Sequence, residues 1–215
     1  MLTVFGDVRS GNCLKVKWLL DRLGLDYRWI ETDVMSGATR SAEFLALNPA
    51  GQVPAVRFDD GRVLAQSNAI LGYLGEGSPF VPADPWARAR MYEWLFWEQY
   101  SHEPYIAVAR FQRAFLGRAA DEIEPRLMER GDAALNRLEA ALTGSDWLAG
   151  DGPTLADLAL VAYTRMAGDG GFDLASRLLL RAWIARVEAV FDLPPYRPDA
   201  GISVPRAGRP RPIPG

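Results

Sequence analysis

A chain of 215 residues, 49% hydrophobic and 24% charged, has the composition of a folded protein with a sizeable core, in one large domain or two small ones. Its net charge of −3, one cysteine and one histidine argue against a nucleic-acid partner, an internal disulfide framework and a zinc-type ligand set, so no metal is expected. No apolar run approaches the roughly 18 residues of a membrane span, and the N-terminus lacks a signal peptide's basic start and long apolar region, which predicts a cytoplasmic protein with no membrane partner.

In chain order, "LTVF" (2–5) reads as a strand, 12–24 as a helix, "YRWIET" (27–32) as a strand and "SAEFLALN" (41–48) as a short helix. In the first helix Cys13, Val16, Leu20 and Leu23 recur at spacings of three and four, an apolar stripe that should pack on a sheet, while Lys15, Lys17, Asp21 and Arg22 fall mostly outside it. "PAVRF" (54–58) and "RVLA" (62–65) flank "DDG", a three-residue connection ending in glycine that signals a hairpin. A further helix follows, opened by Ser67 and Asn68.

Residues 78–85, "SPFVPADP", hold three prolines and no periodicity, as a linker would. Beyond it the pattern is helical: an aromatic-rich segment over 86–116, then 121–142 with Met128, Leu135, Leu138 and Leu142 on one face, then helices near 154–168 and 174–190. Trp86, Trp94, Trp97, Trp147 and Trp183 read mainly as core. In "DGPTLADLAL", Thr154 and Asp157 form a capping box before an apolar helix, a structural role. Residues 196–215 are too rich in Pro, Gly and Arg to build a core, and are expected to run extended over the surface, over a cleft, or without order.

Three stretches are candidates for chemistry: "RSGNCLKV" around Ser10, "GQVPAV" (51–56) and "QSNAILGYL" (66–74). Each has an ordinary explanation. Ser10 and Asn12 are favoured N-cap residues, Pro54 fits an edge strand, and Ser67 is another cap.

In this order, and followed by an all-helical half, "ALNPAGQVPAV" and "GRVLAQSNAILGYL" resemble the glutathione transferase family, over residues 1 to about 192. The resemblance implies an α/β thioredoxin-like N-terminal domain (1–77), a linker (78–85), an all-α helical-bundle C-terminal domain (86–195) and a tail (196–215). It also implies a cis Val53–Pro54 bond, a Gln66–Ser67 pair opening the third helix, glutathione as co-substrate, a small electrophilic substrate and a homodimer. Phe5 stands where some classes carry a catalytic tyrosine, so the sequence resembles the serine-type and bacterial classes.

Glutathione carries two carboxylates, an amine and a thiol. The helix start at Ser67 suits the γ-glutamyl carboxylate, Gln66 can orient the amino-acid end, and Val53 with Pro54 can pair with the extended tripeptide. Ser10 is then the first candidate for stabilising the thiolate, with Asn12 as second donor. Lowering a thiol pKa of about 8.5 by about two units requires roughly 2.7 kcal/mol of preferential anion stabilisation. Cys13 reads as a small buried hydrophobe. Gln52 replaces the lysine often found before the Val-Pro pair, and Arg40 could supply that missing charge. Val8, Arg9, Tyr100 and Tyr105 are candidates for the second-substrate pocket, with a kink expected at Pro104. His102 reads as a surface or hydrogen-bonded residue rather than a base. Three functions follow: conjugation, glutathione-dependent reduction of a disulfide or peroxide, and a non-catalytic binding module.

Overall fold

A computed structural model of the chain describes residues 1–196; the expectations for 197–215 lie outside the described residues. Strands β1 (Leu2–Gly6), β2 (Tyr27–Glu31), β3 (Ala55–Arg57) and β4 (Val63–Ala65) form one sheet in the order β2-β1-β3-β4. β1 and β2 run parallel, joined through helix α1 (Gly11–Leu23), while β3 is antiparallel to both β1 and β4. Helix α2 (Ala42–Leu47) precedes β3, and α3 (Ser67–Gly75) follows β4. This is the thioredoxin-like arrangement expected from the resemblance.

The second half is helical: α4 (Pro85–Trp97), α5 (Glu103–Arg110), α6 (Pro125–Ala141), α7 (Leu155–Thr164) and α8 (Leu178–Phe191). Several starts are set by local chemistry. Asp84 caps α4 through the Ala87 N–H at 2.8 Å, and Pro85 and Pro125 open their helices where a missing N–H has no cost. α8 begins later than the expected 174, because Asp173 takes the Ala175 N–H at 2.7 Å and turns the chain first.

α7 is buried along its whole length and joins the two halves, packing on α1, α3, α4 and α8. Its start is the expected capping box: the Thr154 N–H donates to Asp157 at 2.8 Å, while the Thr154 hydroxyl takes the Ala156 N–H at 3.2 Å. Asp157, fully buried, also accepts from Leu148 N–H and Trp183 Nε1 at 3.1 and 2.9 Å, so one carboxylate fixes a loop and two helices.

Two expectations need correction. Lys15, placed off the apolar stripe, is completely buried, because α1 is covered on a second side by the helical half. Trp86, read with the core tryptophans, is 75% exposed in the first turn of α4, while Trp94 and Trp183 are buried.

Candidate active site

β1 hands the chain to α1 through a tight turn. Asp7, nearly buried, accepts the Arg9 guanidinium at 2.9 and 2.7 Å, the Arg9 N–H at 2.9 Å and the Val34 N–H at 3.1 Å. Burial alone would raise its pKa, but the bonds from Arg9 and Val34 outweigh it and hold the carboxyl below its ordinary 3.8. The Ser10 N–H donates to the Asp7 carbonyl at 3.0 Å, and Ser10 enters α1 in an extended conformation (φ −87°, ψ 120°). Its carbonyl accepts the Leu14 N–H at 2.9 Å, as an N-cap carbonyl does, but its hydroxyl makes no capping bond. The Ser10 hydroxyl is therefore not serving as the cap of α1.

Ser10, Asn12, Arg40, Gln52, Val53, Pro54, Gln66 and Ser67 all line one cavity of about 450 Å³. Val53–Pro54 is cis. Gln66 sits at φ 71°, a backbone region costly for a side-chain-bearing residue and found most often at functional sites. It delivers the chain into α3, whose first N–H groups have no intrahelical acceptor. Arg40 packs directly on Gly51, which stands at φ 61° and whose missing Cβ leaves the space that the guanidinium fills. Arg40 is the one cation lining the cavity and has no carboxylate within 4 Å among the described residues.

Sequence reasoning missed Gln99 and Glu103, one helical turn apart, which bring the helical half to the cavity. The readable signal was their i,i+4 spacing in "EQYSHEP". Asn12 connects them to the sheet domain. Its Nδ2 donates to Glu103 Oε1 at 3.2 Å, and its Oδ1 accepts the Ser67 hydroxyl at 3.1 Å. Asn12 thus bridges two residues rather than standing free beside Ser10.

A smaller cavity of about 140 Å³ adjoins the first, sharing Ser10 and Val34 and walled by Met35, Ala107, Phe111, Phe115, Tyr163 and the Arg9 and Arg110 guanidiniums. Tyr163 reaches it from α7 because Gly11 lacks a side chain: a Cβ there would lie 2.9 Å from the tyrosine ring.

Of the four residues expected around a second substrate, Arg9 alone lines this cavity, and it is held by Asp7 and Asp33. Val8 faces a separate hollow with Leu14, Trp18 and Arg165. Tyr100 and Tyr105 lie in another, with Trp97, Arg126 and Arg130, and Tyr100 is 83% exposed. In the π-helical turn over Glu98–His102, Glu98 and His102 are buried while Tyr100 faces outward. Pro104 follows this turn and takes up the start of α5, the irregularity expected there.

Cys13 is fully buried, and burial pushes its thiol up to about 12, consistent with its reading as a small hydrophobe. His102 is buried as well. Its Nε2 lies 2.9 Å from the Thr164 hydroxyl, which itself donates to the Leu160 carbonyl, so Nε2 carries the proton. Among the described residues, no group of His, Cys, Asp and Glu side chains could hold a metal ion, and no helix is long and apolar enough to cross a membrane.

Comparison with known proteins agrees with this geometry. Residues 9–76 match the family model for the glutathione S-transferase N-terminal domain, and residues 96–190 match that for its C-terminal domain. A solved glutathione S-transferase from Xanthobacter autotrophicus is 49% identical, with a TM-score of 0.82 over 88% of this chain and 93% of that one. Glutathione S-transferase 3 of Zea mays is 34% identical over 87% of this chain and 89% of its own. The disulfide-bond oxidoreductase YfcG of Escherichia coli is 29% identical over 81% of this chain and 85% of its own. The chain belongs to the glutathione S-transferase family.

Proposed function

We propose that the protein binds glutathione in the larger cavity, lowers its thiol pKa with the Ser10 hydroxyl, and directs the thiolate at a small apolar electrophile in the adjoining cavity. The supporting observation is that Ser10 belongs to both cavities and spends its hydroxyl on no capping bond. In this reading the free N–H groups at the start of α3, from Ser67 onward, take one carboxylate, Arg40 with Gln52 takes the other, and Val53 and Pro54 support the extended peptide between them. The second cavity's Phe111, Phe115 and Ala107 favour an apolar substrate.

The chemistry places the proton and electrons simply. The glutathione thiol loses its proton to solvent as the Ser10 hydroxyl donates a hydrogen bond to the sulfur. The thiolate's electron pair then forms a C–S bond while the electrophile's leaving group departs with the bonding pair. A second reading, reduction of a disulfide by glutathione, draws support from the buried and unreactive Cys13, since the bound tripeptide would then supply the attacking sulfur, and from the activity in the name of the Escherichia coli relative. Turnover of glutathione with an aryl halide, set against turnover with a small disulfide, tests the choice. Conjugate formation is the expected outcome. Disulfide reduction alone would favour the second reading, and no turnover with no retention on immobilised glutathione would leave a non-catalytic module.

A cytoplasmic homodimer completes the proposal. Exposed Trp86, Phe96 and Tyr100 along α4 and the turn after it offer apolar surface for a second copy to cover. Sedimentation at equilibrium would return twice the chain mass.

A further inference from the structure

The first turn of α1 has an N–H group that its own N-cap leaves open. An N-cap serine ordinarily accepts, on its hydroxyl, the N–H of the second or third helical residue. In α1 those residues are Asn12 and Cys13, and the Cys13 N–H already donates to the Ser10 carbonyl at 3.0 Å. The Asn12 N–H is therefore the one for the Ser10 hydroxyl to take, yet that hydroxyl makes no capping bond. An orphan N–H at a helix start needs an acceptor from elsewhere.

An acceptor of the right kind is supplied by α7. Buried Tyr163 lays its ring over Gly11, where a Cβ would lie 2.9 Å from both Cε1 and Cζ, the latter being the carbon that bears the hydroxyl. The hydroxyl thus stands at the first turn of α1, within hydrogen-bonding reach of the Asn12 N–H and of the Ser10 side chain. Burial pushes the phenol above its ordinary range, so it stays neutral, with an oxygen to accept and a proton to donate. Tyr163 and Ser10 also line the smaller cavity together.

We propose that Tyr163 is a positioning residue: its hydroxyl takes the Asn12 N–H in place of Ser10, and so leaves the Ser10 hydroxyl in the cavity, free to donate to the glutathione sulfur. The catalytic consequence rests on the function proposed above for Ser10, whereas the exchange of caps needs no ligand. Without the tyrosine oxygen, Ser10 Oγ swings onto the Asn12 N–H as an ordinary N-cap and leaves the position from which it reaches the sulfur.

The test is a double-mutant cycle of Ser10→Ala and Tyr163→Phe, in which phenylalanine keeps the ring on Gly11 and removes only the hydroxyl. Urea midpoints without ligand read the exchange. In the wild type S10A should leave the midpoint nearly unchanged, since it removes no cap; in the Y163F background it should lower the midpoint, since there the serine has become the cap. The thiol pKa of bound glutathione, followed by thiolate absorbance, reads the consequence. Y163F should raise it by at least half of the rise seen in S10A, and the double variant should raise it no further than S10A alone. An equal midpoint shift from S10A in both backgrounds overturns the inference, and so does a thiol pKa unmoved by Y163F where S10A raises it. If the wild type does not bind glutathione, or S10A leaves the thiol pKa where it was, the function proposed above falls, and the midpoints still decide whether Tyr163 replaces Ser10 as the cap.

Discussion

Lys15 and Glu98 form an ion pair in which neither side chain exposes any surface, with Nζ 3.2 Å from both carboxylate oxygens. Asn68 and Gln99 also donate to Glu98 Oε2, at 3.0 and 2.6 Å. One carboxylate thereby joins α1, α3 and the π-turn that carries Gln99 to the cavity wall. Removing one partner strands a buried charge, whereas replacing both with apolar side chains of similar volume does not. Lys15→Met or Glu98→Gln should cost about 3–5 kcal/mol in urea unfolding. The double variant Lys15→Met with Glu98→Leu should recover part of that loss, and a double variant less stable than both single ones would contradict this view of the pair.

His102 gives a pH dependence of known sign. Burial lowers its pKa from 6.5 to about 4, opposed by Glu98 and assisted by Lys15. The unfolded chain takes a proton on this histidine near 6.5, and the folded one does so only near 4. Stability from this group is complete above the upper value and falls as pH drops through the window, by roughly 3 kcal/mol in all. Glu103 and Asp157, raised by burial, act in the opposite sense. The difference between wild type and His102→Gln isolates the histidine: the variant should lose less stability on acidification from pH 6.5, measured by denaturant unfolding at several pH values. Parallel curves would contradict a neutral buried His102.

Gly11→Ala reverses an ordinary preference. In a helix, alanine is favoured over glycine by about 1 kcal/mol, but here the added methyl would lie 2.9 Å from the Tyr163 ring carbons, and that ring is buried. Overpacking of this kind costs about 1–3 kcal/mol. The variant should therefore melt lower than the wild type and turn over more slowly, since residue 11 directly follows Ser10. A higher melting temperature would show that Tyr163 gives way freely.

Much of the fold was legible because its signals are local. The Thr154–Asp157 box, the hairpin across "DDG" and the apolar stripe of α1 each depend on residues a few positions apart. Ser10, Asn12, Gln52, Val53, Pro54, Gln66 and Ser67 each had an ordinary local explanation and stood out only through the family resemblance of their three stretches in order, while the cavity residues Val34, Thr39 and Asn48 carried no such signal. What was not legible depends on distant packing. Lys15 looks like a surface lysine until Glu98, 83 positions away, is brought against it. Tyr100 was picked for its apolar face and polar hydroxyl, which do not say which way it faces; in the π-turn over Glu98–His102 it points to solvent while Glu98 and His102 are buried. Tyr163 and Gly11 are unremarkable apart, and only their contact shows why a glycine opens α1.

Ser10 carries the central claim, and titration of the glutathione thiol on the enzyme tests it most directly. Thiolate absorbance should be followed against pH for the wild type and Ser10→Ala, each saturated with glutathione. The account predicts a wild-type pKa about two units below the ordinary thiol value near 8.5, and a return most of the way to that value in S10A. An identical pKa in both proteins, whether lowered or not, would contradict a thiolate-stabilising Ser10.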